Sequence, residues 1–381
     1  MSQMQEMELM LLRARLNIQE GRPEDALTAL ETIQTDDPEK QREIAYLCAW
    51  CYHQQGKWTE AVRYLSQYTP NDIEDNWNDA DHNERERRAF YLLWLGNVAV
   101  NLSHYADASR HYEQCLKILR ERRVHLPRVL LKARCGLGLT STMNGFYLAA
   151  IQHYEDALQL IKDDLESEDA TEIYYGLADA YRLAGKFEQA YTYGKMALRL
   201  YEKRSQRYWE GRMHNLLGRI CFQMGQYQDA SDHYMEALSA ATLDNSPGMM
   251  MINFVALADL RLSEERLEEA LRFCQRAREA GARVNDEHLC GLMYLVCGKV
   301  VHAQAEQTEG ARHQELLEES IQYFEQALEQ LSRTQATTNL AELHGWLAKV
   351  YEELGRHQDA VEHWKHAYSS LSTSKGPSWW Y

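Results

Sequence analysis

Residues 172–241 write one pattern twice, and that repetition restricts this chain more than anything else in it. EIYYGLADAYRLAGKFEQAYTYGKMALRL begins at Glu172, and GRMHNLLGRICFQMGQYQDASDHYMEALSA begins at Gly211. Leu and a small residue come first (Leu177-Ala178, Leu217-Gly218). Gly, an aromatic and Ala follow at fixed steps (Gly185, Phe187, Ala190; Gly225, Tyr227, Ala230), with a further Ala at Ala197 and Ala237. The offset from Ala190 to Ala230 is 40 residues. A fixed period of this size denotes supersecondary units that bury their apolar faces only by stacking.

The marker Ala can be followed along the whole chain, through Ala26, Ala61, Ala108, Ala150, Ala190, Ala230, Ala270, Ser320 and Ala360. Successive intervals are 35, 47, 42, 40, 40, 40, 50 and 40, which gives about nine units. Each reads as a helical hairpin. Gly at the end of the first helix tolerates positive φ. Ala230, Tyr234 and Ala237 lie on one face of the second helix, and the small residues permit close approach of the two helices. Only six prolines occur in 381 residues, as an almost wholly helical chain requires.

The pattern Leu-Gly…Gly-x-Tyr-x-x-Ala-x3-Tyr-x2-Ala, carried by Leu217, Gly218, Gly225, Tyr227, Ala230, Tyr234 and Ala237, resembles the tetratricopeptide repeat. The likeness covers roughly residues 8 to 372, with a period of 40 where 34 is usual, so the helices are longer. Long repeats of this kind are similar to those of bacterial peptide-pheromone receptors, sensor arms of transcription regulators and spindle-orientation adaptors. The resemblance implies an all-α, right-handed superhelical solenoid of about nine hairpins over residues 1–372.

Three stretches depart from the rhythm. Residues 69–88 (TPNDIEDNWNDADHNERERR) read as an acidic loop, either solvated or touching a partner through Trp77. The interval of 50 predicts an extended hairpin over 289–331, its helices meeting around Thr308-Glu309-Gly310. The tail, residues 373–381, ends in Trp379, Trp380 and Tyr381. Three consecutive aromatics are costly to leave in water, so they cap the last hairpin or dock into another chain, and in the second case link two copies.

A formal charge of −16 argues against direct nucleic-acid binding, which needs a basic contact face. No apolar run is long enough to span a membrane, and the start lacks a signal-peptide layout. Eight scattered cysteines are the usage of a reducing compartment, and the cytoplasm is the expected location. No phosphate loop, nucleophile elbow or metalloprotease motif is present, so no enzyme activity, cofactor or metal is expected. Cys48-Ala-Trp-Cys51 with His53 suggests redox or metal chemistry, but the register turns Cys48 into the core and no second pair completes a zinc site. The histidines are read as surface or groove residues.

In the resembled family the first helix of each hairpin lines the concave face, where peptides lie. Carried onto this chain, that register gives Trp50, Asn97, Asp179, Arg219, Asp259 and Lys299 in one row and Tyr46, Tyr175 and Asn215 four residues earlier. Arg182, Phe222 and His302 come about a turn later, and Arg212 joins the central group. Asn can hold a peptide backbone and Arg a carboxylate. The central residues therefore bind a partner segment, or they form a ladder, Asp179–Arg219–Asp259, that ties repeats together. The basic carboxylate clamp of chaperone-tail binders does not match, because Glu8, Leu11, Glu43 and Tyr46 occupy its positions. Two functions stay open: a scaffold or adaptor holding a peptide or helix of another protein, and a peptide-sensing module acting on a separate effector.

Overall fold

The computed structural model describes residues 3–19, 22–55, 57, 60, 61, 63, 64, 82–121, 126–334 and 337–373. Among the described residues there are seventeen helices and no strand. Two compact units divide the chain, residues 1–140 and 141–381.

In the first unit lie α1 (Gln3–Gln19), α2 (Pro23–Glu31), α3 (Pro38–Gln54), α4 (His82–Asn101), α5 (Tyr105–Glu121) and most of α6 (Pro127–Met143). Ala26 and Ala108, markers of the repeat, are fully buried against the helix before them. Tyr112 fills the space opened by Gly96 and Gly136, where a Cβ would overlap its ring. Cys48 and Cys51 are buried in the core with Leu11, Leu27 and Leu30. Burial pushes the Cys48 thiol up to about 12 and the Cys51 thiol to about 11, so neither is a ready thiolate. Residues 82–88, expected within the acidic loop, instead form the first turns of α4. The run HNERERR is rich in good helix formers and leads straight into an apolar segment, so helix wins there. Residues 65–81, Trp77 among them, and the tail 374–381 lie outside the described residues.

The second unit holds α7 (Tyr147–Leu160), α8 (Glu168–Leu183), α9 (Phe187–Lys203), α10 (Arg207–Gln223), α11 (Tyr227–Leu243), α12 (Pro247–Ser263), α13 (Leu267–Gly281), α14 (Glu287–Glu306), α15 (Ala311–Leu331), α16 (Thr337–Glu353) and α17 (His357–Thr373). From α8 onward they form consecutive hairpins, each packed on the next, and the first helices α8, α10, α12, α14 and α16 touch in series. Those five helices therefore share one face. Helix α14 is 20 residues long and α15 is 21, separated by residues 307–310.

The hairpin turns follow from local chemistry. At the end of α10, Gly225 takes φ +74, its N–H donates to the Phe222 carbonyl and that of Gln226 to Cys221. This Schellman closure satisfies carbonyls the helix would leave open. Glu265 makes the same closure at φ +61 without being glycine. The hairpins are also locked by a column of facing rings, sixteen residues before and three after the marker in four of five cases. Tyr174–Tyr193, His214–His233, Phe254–Phe273 and His344–His363 stand 6.1, 5.3, 6.3 and 5.1 Å apart between centroids. Tyr294–Tyr323, in the longer hairpin, stand 6.4 Å apart. In both histidine pairs the two Nδ1 atoms are in hydrogen-bond contact, at 3.0 and 2.9 Å.

Candidate functional site

The predicted residues in the first unit are engaged within it. Trp50 is half-buried, its ring 5.7 Å from that of Trp94. Asn97 accepts a hydrogen bond from the Tyr112 hydroxyl at 2.8 Å, which fixes its amide to the second helix of its own hairpin. The side chain of Tyr46 lies outside the described residues, as do Trp379, Trp380 and Tyr381.

On the shared face of the second unit the sequence-predicted residues do come together, though not with the pairing expected. Asp179 bonds within its own helix: Nε and Nη2 of Arg182 donate to its Oδ1 at 3.0 and 2.7 Å, and Arg182 is 5% exposed. One turn of helix brings i and i+3 into reach, so this short pair outcompetes the cross-repeat one. Asn215 is buried and donates through Nδ2 to Oδ1 of Asn253 at 2.8 Å, and Asn253 in turn donates to the Met249 carbonyl at 2.7 Å. Part of the Asn215 amide is thus spent on joining α10 to α12. Phe222 is half-buried beside Tyr227 and packs on the core of the following hairpins.

Arg212 sits in an aromatic corner. Its guanidinium lies 5.1 Å from the Trp209 ring, 5.8 Å from Tyr175 and 6.0 Å from Tyr208. Tyr175 meets Trp209 edge-on at 6.5 Å, and Tyr201 stacks on Trp209 at 6.0 Å. Cation–π attraction and stacking make this corner self-consistent. Tyr208 and Trp209 were absent from the sequence-derived set because they occupy the first turn of α10, before the repeat's register begins; both are exposed.

Arg219 and Asp259 differ from all of these. Among the described residues no hydrogen bond or ion pair reaches either side chain. The ladder Asp179–Arg219–Asp259, the alternative to ligand binding, has no ion pair or hydrogen bond at Arg219 among the described residues. Arg219 is solvent-exposed, although the atoms around its guanidinium partly desolvate it. That desolvation first, and Arg182 after it, lower the guanidinium from the ordinary arginine range, and Asp179 opposes them. Burial pushes the Asp259 carboxyl above the usual carboxylate range; Lys299 works against that shift and Glu342 adds to it. Both act electrostatically on the buried Tyr234 hydroxyl between their hairpins. Among the described residues neither has a counter-charge in contact.

Toward the chain's end the same face is laced together. Lys299 pairs with Glu342, and Lys349 with Glu306 at 3.3 Å. His302, expected in the groove, is 1% exposed, with Nε2 3.0 Å from a Glu353 oxygen. Its ring meets Trp346 edge-on at 5.5 Å. His302, Glu306 and Glu353 form the one group of three close potential metal ligands among the described residues. The carboxylates lie against opposite nitrogens of the ring, and the Lys349 ammonium already stands between Glu306 and Glu353. The arrangement is that of an ion-pair network.

These features define a class: a stack of helical hairpins whose first helices present a shared polar face. Tetratricopeptide-repeat models match residues 8–76, 129–203 and 169–242, and across those segments the chain is a tetratricopeptide-repeat protein. No curated protein matches it in sequence. Several solved structures share its fold. The apo form of the quorum sensor NprR from B. thuringiensis superposes with a TM-score of 0.68 at 13% identity, over 96% of this chain and 99% of that one. A Rap protein complexed with competence and sporulation factor gives 0.64 at 14% identity, over 97% and 99%. The Rap conjugation gene regulator of plasmid pLS20, in complex with the Phr* peptide, gives 0.59 at 13%, over 97% and 96%. At such identities the likeness is one of fold. Among the described residues no helix is long and apolar enough to cross a membrane.

Proposed function

We propose that this chain is a non-enzymatic peptide-binding regulator whose ligand lies along α10 and α12 in the second unit. The observation that carries this reading is that Arg219 and Asp259, at the same register position in adjacent hairpins, carry no side-chain hydrogen bond or ion pair among the described residues. A ligand bringing a carboxylate to the exposed Arg219 and a cationic group to the half-buried Asp259 would give each the counter-charge it lacks in contact. A short peptide with one acidic and one basic side chain, or with free termini, has that chemistry. Tyr175, Trp209 and Arg212 would flank it with apolar area and a further cation. Peptide complexes of proteins with this fold support the sensor reading over the passive scaffold.

The test is a fluorescence-anisotropy screen of short synthetic peptides, mixed acidic and basic, against the wild type and Arg219→Ala/Asp259→Ala. The expected result is a bound sequence weakened on the order of 10- to 100-fold in the double variant, the range for losing one or two charge-assisted contacts. A peptide bound equally by both proteins would move the site elsewhere. Scattering on the bound form separates the two functions, because a sensor changes its radius of gyration and a scaffold does not.

A further inference from the structure

Four residues after the marker, the second helix of a hairpin carries a side chain that the next hairpin covers. Tyr112, Tyr154, Tyr234, Cys274 and Phe324 are 1, 5, 2, 7 and 0% exposed. Tyr154 lies under Gly176 of the following hairpin, and Phe324 stacks 6.1 Å from Trp346 of the one after it. The equivalent residue of α17 is Trp364, and it is 46% exposed. Its neighbours on the same stripe behave alike. Val361 is 52% exposed where Ile151 and Ile321 are 6 and 4%; Tyr368 is 76% exposed where Leu198 and Leu238 are 9 and 7%. Spacings of three and four residues put Val361, Trp364 and Tyr368 on one side of the helix. Trp364 is held only at its rim, where Nε1 donates to Glu352 at 2.9 Å. A Cβ on Gly345 would stand 3.8 Å from its ring, whereas one on Gly218 would be 2.6 Å from Tyr234, so the last ring is not pressed home.

We propose that residues 374–381 cover this stripe in cis, Trp379, Trp380 and Tyr381 taking the place that a following hairpin has elsewhere. The segment has the right chemistry, since it ends in three aromatics and the stripe offers two more. It also has the reach. From Thr373 back to Val361 is twelve helical residues, about 18 Å, and eight extended residues span about 26 Å. The proposal concerns the end of the stack and stands apart from ligand binding on the first helices.

The decisive comparison is amide hydrogen exchange of the full chain and of the full-length triple variant Trp379→Ser, Trp380→Ser, Tyr381→Ser, with masses followed by light scattering. Exchange in α17 should rise about tenfold in the triple variant while α8 to α12 keep theirs, both proteins staying monomeric. The synthetic peptide Ser-Lys-Gly-Pro-Ser-Trp-Trp-Tyr, added to the variant, should restore protection. Tyr368→Ser, on the receiving side, should speed exchange at residues 378–381. Unchanged exchange in α17 overturns the proposal. So does protection that disappears as a dimer dissociates on dilution, for that would place a second copy on the stripe.

Discussion

One register position of the repeat is occupied by charge in five successive hairpins, and it does two different things. Toward the chain's end Lys299 pairs with Glu342 and Lys349 with Glu306, both across hairpins. In the middle Arg219 and Asp259 touch no counter-charge, and Asp179 is occupied by Arg182 of its own helix. Identical scaffold geometry therefore yields a tie in one region and an opening in the other. The difference lies in which partner is closer. Asp179 is within electrostatic reach of Arg219 and Lys299 of Asp259, but neither comes into ion-pair contact there. The position is stitched only where the opposite charge of the next hairpin reaches contact distance. A repeat protein can thus carry a ligand site without departing from its own pattern.

That contrast can be broken most sharply at His302. His302→Ala removes a buried ring between Glu353 and Trp346, so a loss of about 1–3 kcal/mol is expected from the unpaired contacts and the space left behind. Chemical denaturation measures it, while peptide affinity on α10 and α12 should not move. If affinity falls as much as stability, the two regions are one cooperative element and the contrast is mistaken.

The paired histidines sharpen it next. Burial, with the partner ring adding to it, depresses the His214 and His344 imidazoles to about 4. The unfolded chain, titrating near 6.5, then binds more protons than the folded one between these values. Stability from these pairs is intact above about pH 6.5 and declines as pH falls toward 4. Carboxylates around them moderate the effect, Asp229, Asp232 and Glu236 near His233 and Glu362, Asp359 and Glu325 near His363, while Lys195 and His366 add to it. His214→Phe and His344→Phe, imitating Phe254–Phe273, should flatten the fall in Tm between pH 7 and pH 5. An unaltered slope would remove the pairs from that role.

The smallest effect is expected from Lys349→Ala. Its ammonium and Glu306 are both about half exposed, and such ion pairs contribute under about 1 kcal/mol. A larger loss in Tm would mean that the stitching at this end acts as a network and not as separate pairs.

The fold was legible because glycine, small residues and aromatics recur at set distances, and those distances are the geometry of a hairpin. Even so, Ser103 and Glu265 turn at positive φ where the pattern prefers glycine, so spacing was a better guide than any single residue type. The site was half legible. Register brought Tyr175, Asp179, Arg182, Arg212, Asn215, Arg219 and Asp259 to one face. It could not tell which of them were already satisfied, because the bonds of Arg182 to Asp179 and of Asn215 to Asn253 depend on rotamers. The histidine pairs were missed, although His214 and His233 stand 19 residues apart and so do His344 and His363. That repeated interval was the available signal.

The same short interval bears on how the molecule comes into being. Rings that lock a hairpin are separated by 19 residues in most cases, so each closure spans a small loop and costs little chain entropy. Contacts of this kind keep contact order low, and hairpins can form on their own timescale, each a template for the next. A chain assembled this way would be expected to give way hairpin by hairpin under mechanical load, in a staircase of small yields.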